Sequence, residues 1–272
     1  MINPLARVEL SRYTLHHPAV PEALSGFSVA QISDVHMGPW VKAHHVREIV
    51  ALVDSFEPNL VALTGDYVGY SKADIERCAD ALSTTSSPCF AVLGNHDHWT
   101  DSVRSIAAYE ASATITLLTN QRVRFEPGGG MPAVEVVGVD DLVTGNADAE
   151  AAFVGLDPGL FCLTLNHVPS YAQECASRGA HLILSGHTHN FQFNIPRLTN
   201  RVATTLGAQF FSGTYRLGDA LLYINRGLGS ATWPLRIRSL PELTLFTLAH
   251  ADEPSLELTS SETVSFGAKR KP

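Results

Sequence analysis

Five short stretches of the chain end an apolar run with Asp, Asn or His. QISDVHMG carries Asp34 and His36, and ALTGDYVG carries Asp66. VLGNHDHW carries Asn95, His96, Asp97 and His98. LTLNHVP carries His167, and LILSGHTHN carries His187 and His189. Imidazole and carboxylate together suit Mn, Fe and Zn better than Ca or Mg. A carboxylate has two oxygens and can bridge two cations. Two metals about 3.5–4 Å apart can share a hydroxide and clamp a phosphate. A separate histidine near a leaving group can then supply a proton.

Such chemistry needs these groups in one place, and the pattern of elements provides it. FSVAQIS (27–33), NLVALTG (59–65) and PCFAVLG (88–94) read as strands. HHVREIVALVDSF (44–56), KADIERCADALST (72–84) and SVRSIAAYEAS (102–112) read as the helices that follow them. This βαβαβα order implies a largely parallel sheet, whose strands end on one edge and bring their carboxyl-end residues together. TITLLTN, QRVRFEP and AVEVVGV read as short strands, and LFCLTLNH, SYAQECASRG and AHLILSG restore the β-α-β rhythm. ALLYINRG and ELTLFTLAH are further strands. The middle and late strands need a second sheet to pack against. EPGGGMP precedes a strand, whereas a phosphate-cradling glycine loop precedes a helix, so it reads as a loop tip. Residues 1–250 are expected to form one domain, and the polar stretch 251–272 a loose tail.

The totals narrow the function classes. The chain has 272 residues, 45% hydrophobic and 17% charged, which suits a globular fold with a sizeable core. A net charge of −8 argues against nucleic acid as the main partner, because a phosphate backbone is held by clustered Lys and Arg. Cys78, Cys89, Cys162 and Cys175 include no CxxC pair and read as reduced thiols. The N-terminal residues show no secretory apolar region, and no stretch approaches 18 apolar residues. The expectation is a cytoplasmic protein without a transmembrane segment, with peripheral membrane contact left open.

The ordered blocks D-x-H, G-D, G-N-H-D, a lone His and G-H-x-H resemble the calcineurin-like metallophosphoesterase family. The resemblance runs from about Ile32 to His189 and continues into INRGLGSATWPLRIRSLPELTLFTL. It implies an α/β fold, a four-layer αββα sandwich of two mixed sheets flanked by helices. It implies a first metal on Asp34, His36, Asp66 and His189, and a second on Asp66, Asn95, His167 and His187, with Asp66 bridging. The cofactors would be two transition-metal ions, Mn, Fe or Zn. His96 would contact the phosphate and protonate the leaving oxygen, with Asp97 or a neighbouring acid orienting it. Function by resemblance is metal-dependent phosphoester hydrolysis, with a phosphodiester first. Alternatives are a lipid-linked pyrophosphate of the UDP-diacylglucosamine type, a phosphomonoester, or a non-catalytic metal-binding scaffold.

Other residues are secondary candidates. Arg226 could bind phosphate oxygens, or instead be structural. Phe191 is a candidate substrate contact, because this branch usually has G-H-T-H-G-G-Q where the chain reads G-H-T-H-N-F-Q. Trp40, Val41, Phe210, Phe211, Trp233 and Leu235 could add to an apolar mouth or belong to the core. His98 is expected at the rim, and His16, His17, His44 and His45 on the surface.

Overall fold

A computed structural model describes residues 4–192, 209–230, 233 and 235–266. The strands are β1 (Arg7–His17), β2 (Ser28–Ile32), β3 (Leu60–Thr64), β4 (Cys89–Val92), β5 (Ile115–Leu117), β6 (Gln121–Phe125) and β7 (Val134–Val139). They continue with β8 (Phe161–Asn166), β9 (Leu182–Ser185), β10 (Gly213–Leu217), β11 (Ala220–Ile224), β12 (Glu242–His250) and β13 (Ser255–Ser265). The α-helices are α1 (Ala43–Asp54), α2 (Ile75–Leu82), α3 (Asn95–Glu110), α4 (Ala149–Ala152) and α5 (Ala172–Ser177).

The strands form two sheets, ordered β13-β1-β12-β2-β3-β4-β5 and β10-β11-β9-β8-β7-β6. The first keeps the expected parallel run β2-β3-β4-β5. In the second, β7, β8, β9 and β11 run parallel. Side chains of a strand alternate between faces, and β3 shows the consequence. Leu60 and Ala62 join the cluster between the sheets, with Phe90, Leu163 and Leu184. Val61 and Leu63 face the other way, into a cluster with Ile49 of α1 and Ile75 of α2. A third cluster joins Ile183 of β9 to Ala149 of α4 and Cys175 of α5. The layers are therefore helix, sheet, sheet, helix, as expected. Strands buried on both sides are apolar throughout, which is why LVALT and LILS read as continuous runs.

Two expectations need correction, and one strand went unread. The segment after residue 250 is not simply loose: Ser255–Ser265 pairs antiparallel with β1 along its length. Its Ser, Thr and Glu residues suit an exposed edge strand, where one face and one edge meet water. The strand β1 itself lies in a region read only for a leader, although Val8 and Leu10 alternate into the core. Finally, α3 begins at Asn95, not at Ser102, so the G-N-H-D block forms its first turn, ahead of a kink at Asp101.

Candidate metal centre

Five strand-to-loop turns meet at one end of the sheets, and their backbones are unusual. Asp34, His36, Asp66, His187 and His189 all have positive φ, between 45° and 71°. Non-glycine residues rarely adopt this conformation, and such residues gather where function holds them against strain. Asn190 (φ 49°), Phe191 (φ 54°) and Gln192 (φ 57°) continue the run. Two of these replace glycines of the related motif, so this chain keeps a glycine-like backbone with larger side chains.

The side chains form two groups that meet at Asp66. In the first, His189 Nε2 lies 3.0 Å from His36 Nε2 and 3.3 Å from Asp34 Oδ1. In the second, His187 Nδ1 lies 3.3 Å from His167 Nε2. Asp66 Oδ2 is 3.6 Å from His36 Nε2 and 3.3 Å from His167 Nε2. All except His187, which is partly exposed, are buried. Asn95 Oδ1 is buried without a hydrogen-bond partner among the described residues, which fits an oxygen kept for a cation. The donor set therefore suits a dinuclear metal site. Thr188, between the two histidines, turns away and donates to the carbonyl of Phe211.

Hydrogen bonds hold the groups in place. His167 Nδ1 donates to Thr64 O at 2.7 Å, which leaves Nε2 free to face Asp66. The Asp34 carboxylate accepts from Ser33 Oγ and from the amide of His187. His96 is tied by its amide to Asp66 Oδ1 (2.8 Å) and by Nδ1 to the carbonyl of Gly69 (3.1 Å). Its Nε2 is thereby left available. His36, Asp66 and His96 also lie close enough to share a cation.

The electrostatics follow from burial and close charges. Burial pushes Asp34 up to about 6 and His36 down to about 3. Burial also lowers His187 to about 4 and puts His189 well below the usual histidine range. Both are then neutral ligands at neutral pH. For Asp66 burial raises the pKa, but the His167 charge outweighs it and keeps the carboxylate ionised. For His167 burial opposes the charge, but Asp66 prevails and pushes it up to about 10.

Asp97 does not orient His96 as expected; the Gly69 carbonyl does. The Asp97 carboxylate instead accepts the amides of Asp66 (2.9 Å), Tyr67 (3.0 Å), Val68 (3.3 Å) and Gly94 (3.0 Å). It clamps the β3 and β4 turns together. Arg226 is corrected as well: its guanidinium is paired with Glu242 (2.7 Å) and Glu9 (3.2 Å). His98 is no rim residue, since it bonds Asp140 at 2.7 Å and its side chain is 4% exposed. His17 and Val41 are buried too. Phe191 and Phe210 do line a cavity of about 550 Å³ beside His187, with Val143 and Val168. Trp233 and Leu235 are exposed.

Arg236 escaped the sequence reading. It sits 3.1 Å from His189 Nδ1 and donates to the carbonyls of Arg226 and Gly229. Burial pushes it down to about 10. Its only signal was its place in the tail after β11, where no residue type singled it out.

The family model described as Calcineurin-like phosphoesterase matches residues 27–191. The chain belongs to this family. It is a metallophosphoesterase, a metal-dependent hydrolase of phosphoester bonds. It is 28% identical over 247 residues to the uncharacterized metallophosphoesterase YkuE of Bacillus subtilis, covering 89% of this chain and 85% of that protein. It is 29% identical to the phosphodiesterase YaeI of Escherichia coli, covering 82% of each. It is 25% identical to the UDP-2,3-diacylglucosamine pyrophosphatase LpxG of Chlamydia trachomatis, covering 82% of this chain and 83% of that protein.

The glycines of the motif have a steric role that can be tested. A Cβ on Gly94 would lie 2.6 Å from the Asp66 backbone nitrogen and closer still to its carboxylate. Gly94→Ala should therefore cost about 3 kcal/mol of stability and displace Asp66. A lower melting temperature together with lost metal in the folded fraction is the expected result. A variant with full metal content would contradict it.

Proposed function

We propose that this metallophosphoesterase is a phosphodiesterase with two transition-metal ions, Mn, Fe or Zn, per chain. One ion is held by Asp34, His36, Asp66 and His189, and the other by Asp66, Asn95, His167 and His187. The observation that carries this reading is Asp66 Oδ2, shared at 3.6 and 3.3 Å between the two imidazole groups. When bound, the metals would supply an activated water and neutralise charge developing on the phosphoryl group.

The chain's own residues do the rest. Asp66 and Asp34 provide the negative charge that keeps two cations together. His167 and His187 present neutral nitrogens once the His167 proton has left. His96 is fixed by Gly69 with Nε2 free, and that atom delivers a proton to the departing alkoxide. The carbonyls of Gly229 and Arg226 engage Arg236, and carboxylates engage Arg226. Among the described residues, the Arg226 charge is therefore offset by carboxylates, which favours a singly charged diester over a doubly charged monoester. Likeness to YaeI supports the same choice.

A second reading, a lipid-linked pyrophosphate, is favoured by the apolar cavity beside His187 and by likeness to LpxG. The test is metal-loaded protein assayed on simple diesters, monoesters and a diacylated sugar-nucleotide pyrophosphate. Diester turnover well above monoester turnover is expected. Turnover of monoesters alone would overturn the diester reading, and strong preference for the lipid substrate would favour the second.

Metal binding should depend on pH with a definite sign. In the metal-free protein His167 keeps its proton up to about 10, so a metal ion must displace it. Apparent affinity should rise by about tenfold per pH unit for each proton released. Chelator competition at pH 6, 7 and 8 measures this. Affinity that stays flat across that range would remove His167 from the ligand set.

A further inference from the structure

The His96 ring touches two large aromatic side chains that the family motif does not include. Tyr70, in the loop after β3, meets it edge-on with ring centroids 5.0 Å apart. Trp99, one turn along α3, meets it at 5.2 Å with the planes 62° apart. His36 lies against the same ring at 4.8 Å, on the buried, metal-facing side. Tyr70 is 65% exposed and Trp99 59%, so neither ring is filling the core. Single exposed aromatics are ordinary, but here two meet edge-on the one histidine assigned as proton donor, and both keep most of their surface in solvent.

We propose that Tyr70 and Trp99 form the leaving-group subsite and make the enzyme prefer diesters whose leaving alcohol carries a flat, apolar group. This rests on the reading of His96 as the proton donor. A leaving oxygen must come within about 3 Å of His96 Nε2 to receive its proton. The atoms bonded to that oxygen then fall within reach of rings whose centroids lie 5.0 and 5.2 Å from the His96 ring. A planar group can pack against them edge-on or offset, and two rigid rings lose little conformational freedom in receiving it. Both residues are specificity-determining and neither takes part in bond breaking. The P–O bond to the alcohol breaks as the water oxygen forms the new P–O bond, the alcohol leaves with the His96 proton, and the proton released by the water restores His96.

The test uses two diesters with the same retained group. Their leaving groups are phenol and hexafluoroisopropanol, which are similar in acidity and differ in shape. Trp99→Ala, Tyr70→Ala and the double variant should keep parental melting temperatures and metal content. In the double variant kcat/KM on the phenyl ester should fall about tenfold or more, while the fluoroalkyl ester changes less than about threefold. Titration with phenylphosphonate should quench tryptophan emission in the parent and lose that component in Trp99→Ala. Equal losses on both esters, or a quench unchanged by Trp99→Ala, would overturn the subsite. His96→Ala is the separate control. Failure of the proton-donor reading shows as full activity in that variant, whereas failure of the subsite shows only in the aromatic variants.

Discussion

Replacing Asp66 with Asn should remove metal from both positions together and abolish most activity. Asp66 Oδ2 is the atom common to the two imidazole groups, and Asn presents a neutral oxygen in its place. Without that charge, two cations a few ångströms apart repel one another with nothing between them to offset it. The His167 charge would also lose its main partner, so its proton would leave more readily. Loss of metal-derived charge stabilisation worth several kcal/mol corresponds to a rate loss of about 10³-fold or more. Metal analysis of the purified variant, beside His167→Ala, measures the first part. His167→Ala should deplete chiefly one of the two ions, because His167 belongs to one group only. A variant Asp66→Asn that holds two ions and turns over normally would contradict the shared-carboxylate account.

His96→Ala should behave differently. The ring is held by Gly69 and the backbone amide by Asp66, so truncation leaves the other site residues in place. Both metals should stay bound, and the rate on an alkyl diester should fall about 10²–10⁴-fold. The loss should shrink with a nitrophenolate leaving group, which departs without a proton. A metal-ligand role, which the closeness of His36, Asp66 and His96 would also allow, predicts metal loss and equal losses for all leaving groups. A structural role predicts a lower melting temperature with normal turnover of the folded fraction. Full activity of the variant on an alkyl diester would exclude the proton-donor role.

Much of the site was legible because its residues sit where apolar strands stop. LVALTGD and LILSGHTH announce both the strand and the turn, and parallel strands ending on one edge force convergence. The same runs called for a second sheet and for cover on both faces, and the family resemblance implied the order of the four layers. What escaped was set by long-range contacts. Asp97 looked like a partner for the neighbouring His96, yet its oxygens are taken by amides around residue 67, some thirty positions away. Arg226, in a glycine-rich loop, read equally as a phosphate binder or a structural residue, and Glu242 and Glu9, from two different strands, make it structural. Neither pairing has a spacing signature. The strand β13 was hidden by its composition, because an edge strand can be mostly polar and still pair.

The dinuclear assignment is tested most directly by counting metal and locating it in one experiment. Protein loaded with Mn, Fe or Zn should contain two ions per chain by elemental analysis. A crystal structure of that protein, read by anomalous scattering, should place them about 3.5–4 Å apart with Asp66 between them. A single ion at saturation, or two ions with Asp66 bound to neither or only one, would contradict the account.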